Sequence, residues 1–217
     1  DKSVNAAERR ADWWLFGGIY RPVYLTAKPR TQIEHIAVDA RADGTLHTDV
    51  YLKNISKGQQ LELSLISCDS QLPIGRQVCG LSTEEKQILT THWNNIRTWD
   101  PEHPNLYRLT MRLLSTTGDV VHEITERIGF RTIEFRPEDG VYLNGTRLLV
   151  KGINRHCFDP ETGRTISREL SLKDALLIKQ MNMNAVRSHY PPDTHFLEAC
   201  DSIGLLYLNE LCGWQNS

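Results

Sequence analysis

The sequence predicts a multidomain protein of class β plus α/β, because two hydrophobic patterns follow one another along its 217 residues. From about residue 29 to 132, apolar and polar residues alternate in short runs between turns, which is typical of strands with one buried face. From about residue 133 the order becomes strand, helix, strand, helix, strand. That order indicates a parallel sheet with right-handed crossovers.

The first segment, residues 1–28, contains one candidate strand, from Ile19 to Leu25, after a loop with Trp13 and Trp14. A single strand is not stable by itself, so we expect this segment to be the end of a β domain whose other strands lie outside this sequence. The two tryptophans are candidates for stacking on a ligand, although a packed domain edge is the more common use of such a pair.

The middle region, residues 29–132, has runs in which every second residue is apolar, among them residues 46–52, 61–65 and 107–113. Turn dipeptides such as Asp-Gly, Lys-Gly and Asp-Pro separate the runs. About seven strands in about a hundred residues favour an immunoglobulin-like β-sandwich. The Cys…Trp…Cys spacing of antibody domains is not evident, so the prediction concerns the architecture alone.

The third region begins with a hairpin at residues 141–148 that contains an Asn-Gly turn. We expect residues 148–153 to continue as a buried strand and then to lead into a helix. Ser171 is the expected N-cap of that helix, with Asp174 as its partner in a capping box.

A second strand, at residues 184–187, and a second helix follow. The second helix has one apolar face with the spacing i, i+3, i+4 and i+7. The residues of that face are Phe196, Ala199, Cys200 and Ile203. Gly204 stands where a left-handed C-terminal cap is expected, and residues 205–208 form an apolar run typical of a strand covered on both faces.

Composition and charge exclude several functional classes. The net charge of −2 comes from 25 basic and 27 acidic residues mixed along the chain, so nothing indicates a nucleic-acid partner. No apolar run has the length of a membrane span. The five cysteines form no Cys-x-x-Cys pair, and most or all of them are predicted to be small buried side chains. The compartment stays open, with the periplasm or the cell exterior preferred to the cytoplasm, and a homo-oligomer is one allowed state.

Polar side chains follow each of the three expected parallel strands. The first strand leads into residues 154–156, the second into residues 187–190, and the third into Asn209 and Glu210. Ligands bind at the carboxyl ends of the strands in barrels and in open α/β sheets. We therefore expect these residues to share one site.

Several segments resemble glycoside hydrolase family 2, and together they touch nearly the whole chain. Residues 151–156 (Lys-Gly-Ile-Asn-Arg-His) are similar to the first barrel strand of that family. Residues 184–207, which begin Asn-Ala-Val-Arg-Ser-His-Tyr-Pro, resemble its long signature. Residues 17–23 (Gly-Gly-Ile-Tyr-Arg-Pro-Val) resemble the end of its sugar-binding β domain, and residues 99–107 and 129–131 resemble parts of its immunoglobulin-like domain.

The resemblance implies three domains and a fold. Residues 1–28 would be the C-terminal end of a sugar-binding β domain, and residues 29–132 the immunoglobulin-like β-sandwich. Residues 133–217 would be the N-terminal part of a TIM (β/α)8 barrel, so the expected fold is a sandwich followed by the first units of that barrel.

The resemblance also implies an activity. Family members are retaining β-glycosidases, which hydrolyse terminal β-linked sugars with a nucleophile and an acid/base about 5 Å apart. In the family both groups are glutamates on later barrel strands, so we expect no catalytic residue in this segment and no activity of the segment alone. The chain resembles the β-galactosidases most, with β-glucuronidases and β-mannosidases as alternatives.

By the same resemblance, five residues are expected to bind or surround the sugar. His156 and His189 match histidines that hydrogen-bond sugar hydroxyls, and Arg187 matches an arginine close to the nucleophile, where its charge keeps that carboxylate ionised. Glu210 follows Asn209 in a pair that resembles the acid/base dipeptide of the family. That dipeptide belongs to the fourth strand, whereas this pair ends the third, so Asn209 and Glu210 are interpreted as scaffolding of the site.

The chain departs from the family pattern in two ways that concern the site. One residue, Ser188, separates Arg187 from His189 where the family has two, which could rotate His189 away from the sugar. Residues 211–215 lack the Glu-x-His metal motif of β-galactosidases, so no magnesium and no cofactor is expected, and Trp214 is equally suited to sugar stacking and to a core.

Two other functions stay open at this point. A non-catalytic carbohydrate-binding or interaction module would use the sandwich as its functional part. An open α/β enzyme unrelated to sugars would carry a glycine-rich phosphate loop, and neither a GxGxxG nor a Walker pattern occurs. A zinc site built from the histidines and cysteines is not favoured, because the close ligand pairs of structural zinc motifs are missing.

Overall fold

The computed structural model describes residues 2–10 and 18–210, and only the backbone of residues 7–10. A short helix, α1 (Lys2–Arg10), is followed by a β-sandwich, a small antiparallel sheet and a parallel β/α region. The alternation patterns did not predict α1. No helix in the part of the chain that the structure describes has the length and apolar character needed to span a membrane.

The sandwich consists of two antiparallel sheets. Its strands are β1 (Gln32–Ala40), β2 (Thr45–Lys53), β3 (Gln60–Ser67), β4 (Pro73–Gly80), β5 (Lys86–His92), β6 (Tyr107–Leu114) and β7 (Val120–Ile128). One sheet has the order β1-β2-β5 and the other β4-β3-β6-β7. The predicted immunoglobulin-like architecture is confirmed.

The main core lies between the two sheets and uses the residues that the alternation selected. The inward side chains of β2 and β3 at positions 46, 50, 52, 61, 63 and 65 are all buried. Glu62 points to the other face of β3 and is nevertheless buried, because Arg76 and Arg112 from the flanking strands both form ion pairs with its carboxylate. Paired in this way, a charged residue is tolerated in a central strand.

A three-stranded antiparallel sheet connects the sandwich to the parallel region. Its strands are β8 (Ile133–Arg136), β9 (Gly140–Leu143) and β10 (Thr146–Leu148). Asn144 and Gly145 join the last two strands with φ angles of 52° and 78°, as expected for a tight hairpin turn. Strand β8 was not predicted.

The parallel region has the predicted order of strands and helices. It comprises β11 (Gly152–Arg155), α2 (Arg168–Gln180), β12 (Ala185–Ser188), α3 (Thr194–Ile203) and β13 (Leu206–Asn209). The three strands are parallel in the order β11-β12-β13, and both helices pack against the same face of the sheet. Gly204 ends α3 in the left-handed conformation, with φ of 83°. The opposite face of β13 is uncovered at Leu208, contrary to the prediction of a strand buried on both sides.

The prediction of one buried strand over residues 148–153 is wrong. Leu149 is 73% exposed, and the parallel strand begins at Gly152. The side chain of Asn184 replaces a strand partner here, because its Nδ2 donates to Leu149 O at 2.9 Å and its Oδ1 accepts from Lys151 N at 2.8 Å. Leu149 O and Lys151 N are therefore paired without a strand ladder.

The predicted cap of the first helix is also wrong. Ser167 is the N-cap, and its hydroxyl accepts a hydrogen bond from Leu170 N at 3.1 Å. Ser171 is buried inside the helix, and Asp174 forms an ion pair with Arg155 instead of a capping box. The local pattern pointed to the wrong serine because Arg155, a partner from strand β11, binds the carboxylate of Asp174.

The predicted strand from Ile19 to Leu25 does not form. No strand in the described part of the chain pairs with this segment. Ile19, Val23, Tyr24 and Leu25 are each at least 79% exposed. Without a neighbouring strand, β-branched and aromatic residues cannot establish a strand by themselves.

The sandwich packs against the amino-terminal ends of the parallel strands. One apolar cluster joins these parts, and its buried members are Trp99, Leu106, Leu143, Ala185 and Leu206. Lys179 Nζ donates to Pro101 O at 2.6 Å, and Trp99 Nε1 donates to Asp201 O at 2.8 Å. The carboxyl ends of β11–β13 are thus left open on the side away from the sandwich.

Candidate functional site

The carboxyl ends of β11, β12 and β13 lie side by side at one edge of the parallel sheet. Asn154 is in register with Arg187 on the neighbouring strand, and Arg187 with Leu208. Side chains alternate between the faces of a strand, so these residues and Glu210 share the face opposite to α2 and α3. We call Asn154, Arg187 and Glu210 the rim network.

Arg187 is the centre of the rim network. Its Nη1 donates a hydrogen bond to Asn154 Oδ1 at 2.9 Å, and its Nη2 donates to Glu210 and forms an ion pair with that carboxylate. The Arg187 side chain is 43% exposed and that of Glu210 is 20% exposed. The planar guanidinium therefore connects the ends of all three strands, and the Arg187 side chain stays partly open to solvent.

His156, His189 and Tyr190 form a second group, which we call the ring cluster. The two imidazole centroids are 5.1 Å apart, and Tyr190 lies 5.5 Å from His156 and 5.0 Å from His189. Asn154 Nδ2 is 3.4 Å from His156 Nε2, so Asn154 connects the ring cluster to the rim network. Although one residue fewer separates Arg187 from His189 than in the family pattern, His189 lies beside His156.

Of the five predicted site residues, the structure brings four together and places one apart. His156, Arg187, His189 and Glu210 belong to the two groups described above. Asn209 is exposed and in register with Ser188, on the helix side of the sheet. Alternation along β13 thus directs Asn209 and Glu210 to opposite faces.

A buried chain of contacts supports the ring cluster from the helix side. Arg155 Nη2 donates to Asp174 Oδ2 at 2.6 Å, and its Nη1 lies 3.1 Å from Cys157 Sγ. Cys157 Sγ is 3.3 Å from Ser188 Oγ, which donates to Tyr190 O at 2.8 Å. The backbone that carries His189 and Tyr190 is therefore linked to α2 through four side chains.

Sequence reasoning missed Arg164 and Tyr20, which border this site. It included Asn154 and Tyr190 in the strand-end segments of the expected site, but not among the five residues expected to bind or surround the sugar. Arg164 lies in the loop between β11 and α2, with its guanidinium carbon 4.2 Å from the centroid of Tyr190 and 4.9 Å from that of Tyr20. No periodic pattern marks Arg164 or Tyr20, so the sequence alone offered no way to select them.

The described cysteines and carboxylates do not form a metal centre. Within residues 2–10 and 18–210, no group of three or more His, Cys, Asp or Glu side chains could hold a metal ion. Burial raises the pKa of the Cys200 thiol to about 12, so that thiol is protonated and unreactive at neutral pH. Cys212, Trp214 and the segment at residues 211–215 lie outside the described residues.

Two family models match the chain. The one described as "Glycosyl hydrolases family 2" matches residues 31–131, and the one described as "Glycosyl hydrolases family 2, TIM barrel domain" matches residues 135–213. The chain belongs to glycoside hydrolase family 2. The parallel region is thus the start of a family 2 TIM barrel, and the sandwich is the immunoglobulin-like domain that precedes it in family 2 proteins.

Curated relatives and solved structures from family 2 are similar over most of the chain. Beta-galactosidase BgaC of Bifidobacterium adolescentis is 35% identical over 212 residues, which cover 92% of this chain and 20% of the relative. A putative beta-glucuronidase of Formosa agariphila is 34% identical over 209 residues, 94% of this chain and 25% of the relative. The apo structure of Bacteroides uniformis beta-glucuronidase 3 has a TM-score of 0.77 and 27% identity, and the match covers 92% of this chain and 25% of that one. The chain therefore spans a fifth to a quarter of the length of these family 2 proteins.

Proposed function

We propose that this chain is part of a retaining β-glycosidase that hydrolyses terminal β-linked sugars, with β-galactosides as its substrates. The observation that carries the proposal is the joined rim network and ring cluster at the carboxyl ends of three barrel strands in a family 2 chain. Active sites of TIM barrels lie at this end of the strands. The galactoside preference rests on the similarity to BgaC.

The ring cluster is suited to hold a sugar. Each neutral imidazole has one N–H donor and one acceptor nitrogen, which match the donor and acceptor character of sugar hydroxyls. The Tyr190 ring adds an apolar face beside them. We propose that His156 and His189 hydrogen-bond hydroxyl groups of the bound sugar.

The rim network is suited to keep a carboxylate ionised. A guanidinium stays charged at every physiological pH, and a nearby positive charge lowers the pKa of a carboxyl group. Arg187 uses two of its nitrogens within the network and remains 43% exposed, which leaves room for a second carboxylate. We propose that the nucleophilic glutamate of the enzyme binds there.

Glu210 has a supporting part in this proposal. A retaining mechanism needs two carboxyl groups about 5 Å apart, and the described rim network contains one, which is already paired with Arg187. We propose that Glu210 orients Arg187, and that the nucleophile and the acid/base come from strands other than β11, β12 and β13. No catalytic residue is assigned within this chain, and Asn209 has no part in the proposal.

The full-length enzyme that contains this sequence allows a direct test with nitrophenyl β-galactoside. We expect hydrolysis, and we expect the β-anomer to be the first product in a proton NMR time course, as double displacement requires. The 217-residue chain by itself should release no nitrophenol. An α-anomer as first product would contradict the retaining mechanism, and turnover by the short chain that is lost in Glu210→Gln would make Glu210 catalytic.

A β-glucuronidase is the second candidate. Similarity to the putative beta-glucuronidase of Formosa agariphila and to beta-glucuronidase 3 of Bacteroides uniformis favours it. The ratio of kcat/KM for nitrophenyl β-galactoside to that for nitrophenyl β-glucuronide decides between the two substrates. The oligomeric state and the periplasmic or extracellular location stay predictions from the sequence.

A further inference from the structure

Arg164 is held between two tyrosine rings that are far apart in sequence. Its guanidinium carbon lies 4.9 Å from the centroid of Tyr20 and 4.2 Å from that of Tyr190. A cation within about 6 Å of a ring centroid is attracted by the ring, so one guanidinium attracts both tyrosines. Arg164 directly follows a turn in which Asp159 and Gly163 exchange two backbone hydrogen bonds of 2.8 Å.

Arg21 makes a second connection between the same two parts of the chain. Its Nη2 donates to the carbonyl oxygen of Pro191, and its Nε lies 3.6 Å from Asp193 Oδ1. Arg21 Nε is buried and has no hydrogen-bond partner among the residues that the structure describes, so its contact with Asp193 is electrostatic. Asp193 is the N-cap residue of α3, but its side chain makes no capping hydrogen bond, which leaves its carboxylate to Arg21.

These contacts explain how the first segment can lie at the carboxyl ends of the parallel strands without forming a strand. Its residues at 19 and 23–25 are exposed and pair with none of the described sheets, whereas Tyr20 and Arg21 contact the loops after β11 and β12. We call Tyr20, Arg21 and Arg164 the clamp. The loop after β12, which Arg21 and Arg164 contact, carries His189 and Tyr190, two of the three members of the ring cluster.

We propose, on the basis of the glycosidase function above, that the clamp orders the loop after β12 for sugar binding and that Arg164 is its central positioning residue. Arg164 acts through Tyr190, whose ring also contacts His156 and His189. A Tyr190 side chain without this contact would sample several rotamers, and the free energy of sugar binding would then include the entropic cost of ordering it. The sugar itself need not touch Arg164.

Kinetics of the full-length enzyme separate this role from a catalytic one. Arg164→Ala should raise KM for the nitrophenyl glycoside by about fivefold to tenfold and leave kcat within about twofold. The reason is that the loop after β12 has to be ordered when the sugar binds, before the chemical step, so the cost falls on binding. Arg164→Lys keeps a cation but loses the flat stacking surface, so its KM should lie between the KM of the unsubstituted enzyme and that of Arg164→Ala. Arg136→Ala is the matched control, since Arg136 lies over the Tyr142 ring at 3.6 Å, outside the rim.

Hydrogen exchange gives a readout that does not depend on activity. In the full-length enzyme, residues 188–193 should exchange faster in Arg164→Ala than in the unsubstituted protein, and Arg136→Ala should leave them unchanged. The Tyr20 side chain supplies a second pair of variants. Tyr20→Phe keeps the ring face and should behave as the unsubstituted enzyme, whereas Tyr20→Leu keeps an apolar group without a ring and should resemble Arg164→Ala.

Several outcomes would overturn the positioning role of the clamp. Unchanged exchange at residues 188–193 together with an unchanged KM would do so, as would a loss in kcat at constant KM. Equal behaviour of Tyr20→Phe and Tyr20→Leu would reduce the contact to simple packing, and this pair decides the matter if Arg164→Ala does not fold. If the enzyme hydrolysed neither glycoside, the proposed function would be wrong, and the exchange data alone would decide whether the clamp orders the loop.

Discussion

Replacement of Arg187 is the sharpest test of the site. In the full-length enzyme, Arg187→Ala should lower kcat for the preferred nitrophenyl glycoside by about a hundredfold or more, the effect typical of losing one preorganised electrostatic group. The expected cause is that the nucleophilic carboxylate, without a neighbouring cation in a water-poor site, gains a proton more readily and loses nucleophilicity. Arg187→Lys keeps the charge but not the two-pronged geometry, so its kcat should lie between that of the unsubstituted enzyme and that of Arg187→Ala.

The structure predicts a smaller effect of the same change on stability. The Arg187 side chain is 43% exposed and that of Glu210 is 20% exposed, and ion pairs that are open to solvent contribute about 0–1 kcal/mol. The hydrogen bond to Asn154 adds about 1 kcal/mol. Loss of both should lower the free energy of unfolding by about 1–2 kcal/mol, whereas a hundredfold loss of kcat corresponds to about 2.7 kcal/mol of transition-state stabilisation.

Both quantities are measured on the same preparations, with Tm from calorimetry and kcat from initial rates. Arg147→Ala is the matched control, because Arg147 is 69% exposed and its Nε donates to Asp139 O at 3.0 Å, away from the rim network. It should leave kcat unchanged. The reasoning is refuted if Arg187→Ala unfolds at a much lower temperature while the folded remainder keeps a nearly normal kcat, since Arg187 would then be a structural tie between strands.

Three further predictions concern the chain itself. Gly204→Ala should lower the free energy of unfolding by more than about 2 kcal/mol, because φ is +83° and the new Cβ would lie 2.1 Å from a carbonyl oxygen of the sandwich. Gly118→Ala is the control, because Gly118 has φ of +89° and its new Cβ would meet no described atom. It should lose only the cost of backbone strain, about 1–2 kcal/mol. Equal losses in urea denaturation would contradict the clash. Ser167→Ala should lower the free energy of unfolding by about 1 kcal/mol, because it removes an N-cap. Ser171→Ala should be neutral or stabilising, because the buried hydroxyl of Ser171 has no hydrogen-bond partner among the described residues. The reverse order of the two effects would restore the capping box at Ser171. Burial raises the pKa of Cys200 to about 12, so only about one thiol in ten thousand is ionised at pH 8. Cys200 should therefore resist iodoacetamide until urea unfolds the chain. Rapid labelling of Cys200 in the folded chain would show that this thiol is not buried.

Much of the fold could be predicted because its signals are local. The alternation at residues 46–52 reflects which face of a single strand is buried, and the spacing from Phe196 to Ile203 reflects one face of a single helix. Gly204 adopts the left-handed cap because only its own backbone has to accept that conformation. Features of this kind depend on residues within one or two turns of each other.

The wrong predictions occur where the local pattern permits more than one structure. Residues 19–25 have the composition of a strand, but a strand also needs a neighbour, and none of the described strands supplies one. Ser171 and Asp174 have the spacing of a capping box, but Arg155 binds the carboxylate and Ser167 caps the helix. In both cases a partner distant in sequence, or its absence, outweighs the local preference.

By itself, the sequence determined that polar side chains gather at the carboxyl ends of three parallel strands, because alternation and strand order follow from local patterns. Only the tertiary structure decided which of them meet. Arg187 reaches Asn154 and Glu210 across 33 and 23 residues, and Arg21 reaches Pro191 across 170. Such contacts depend on strand register and on loop paths, and these are set by the packing of the whole chain rather than by the preferences of any one segment.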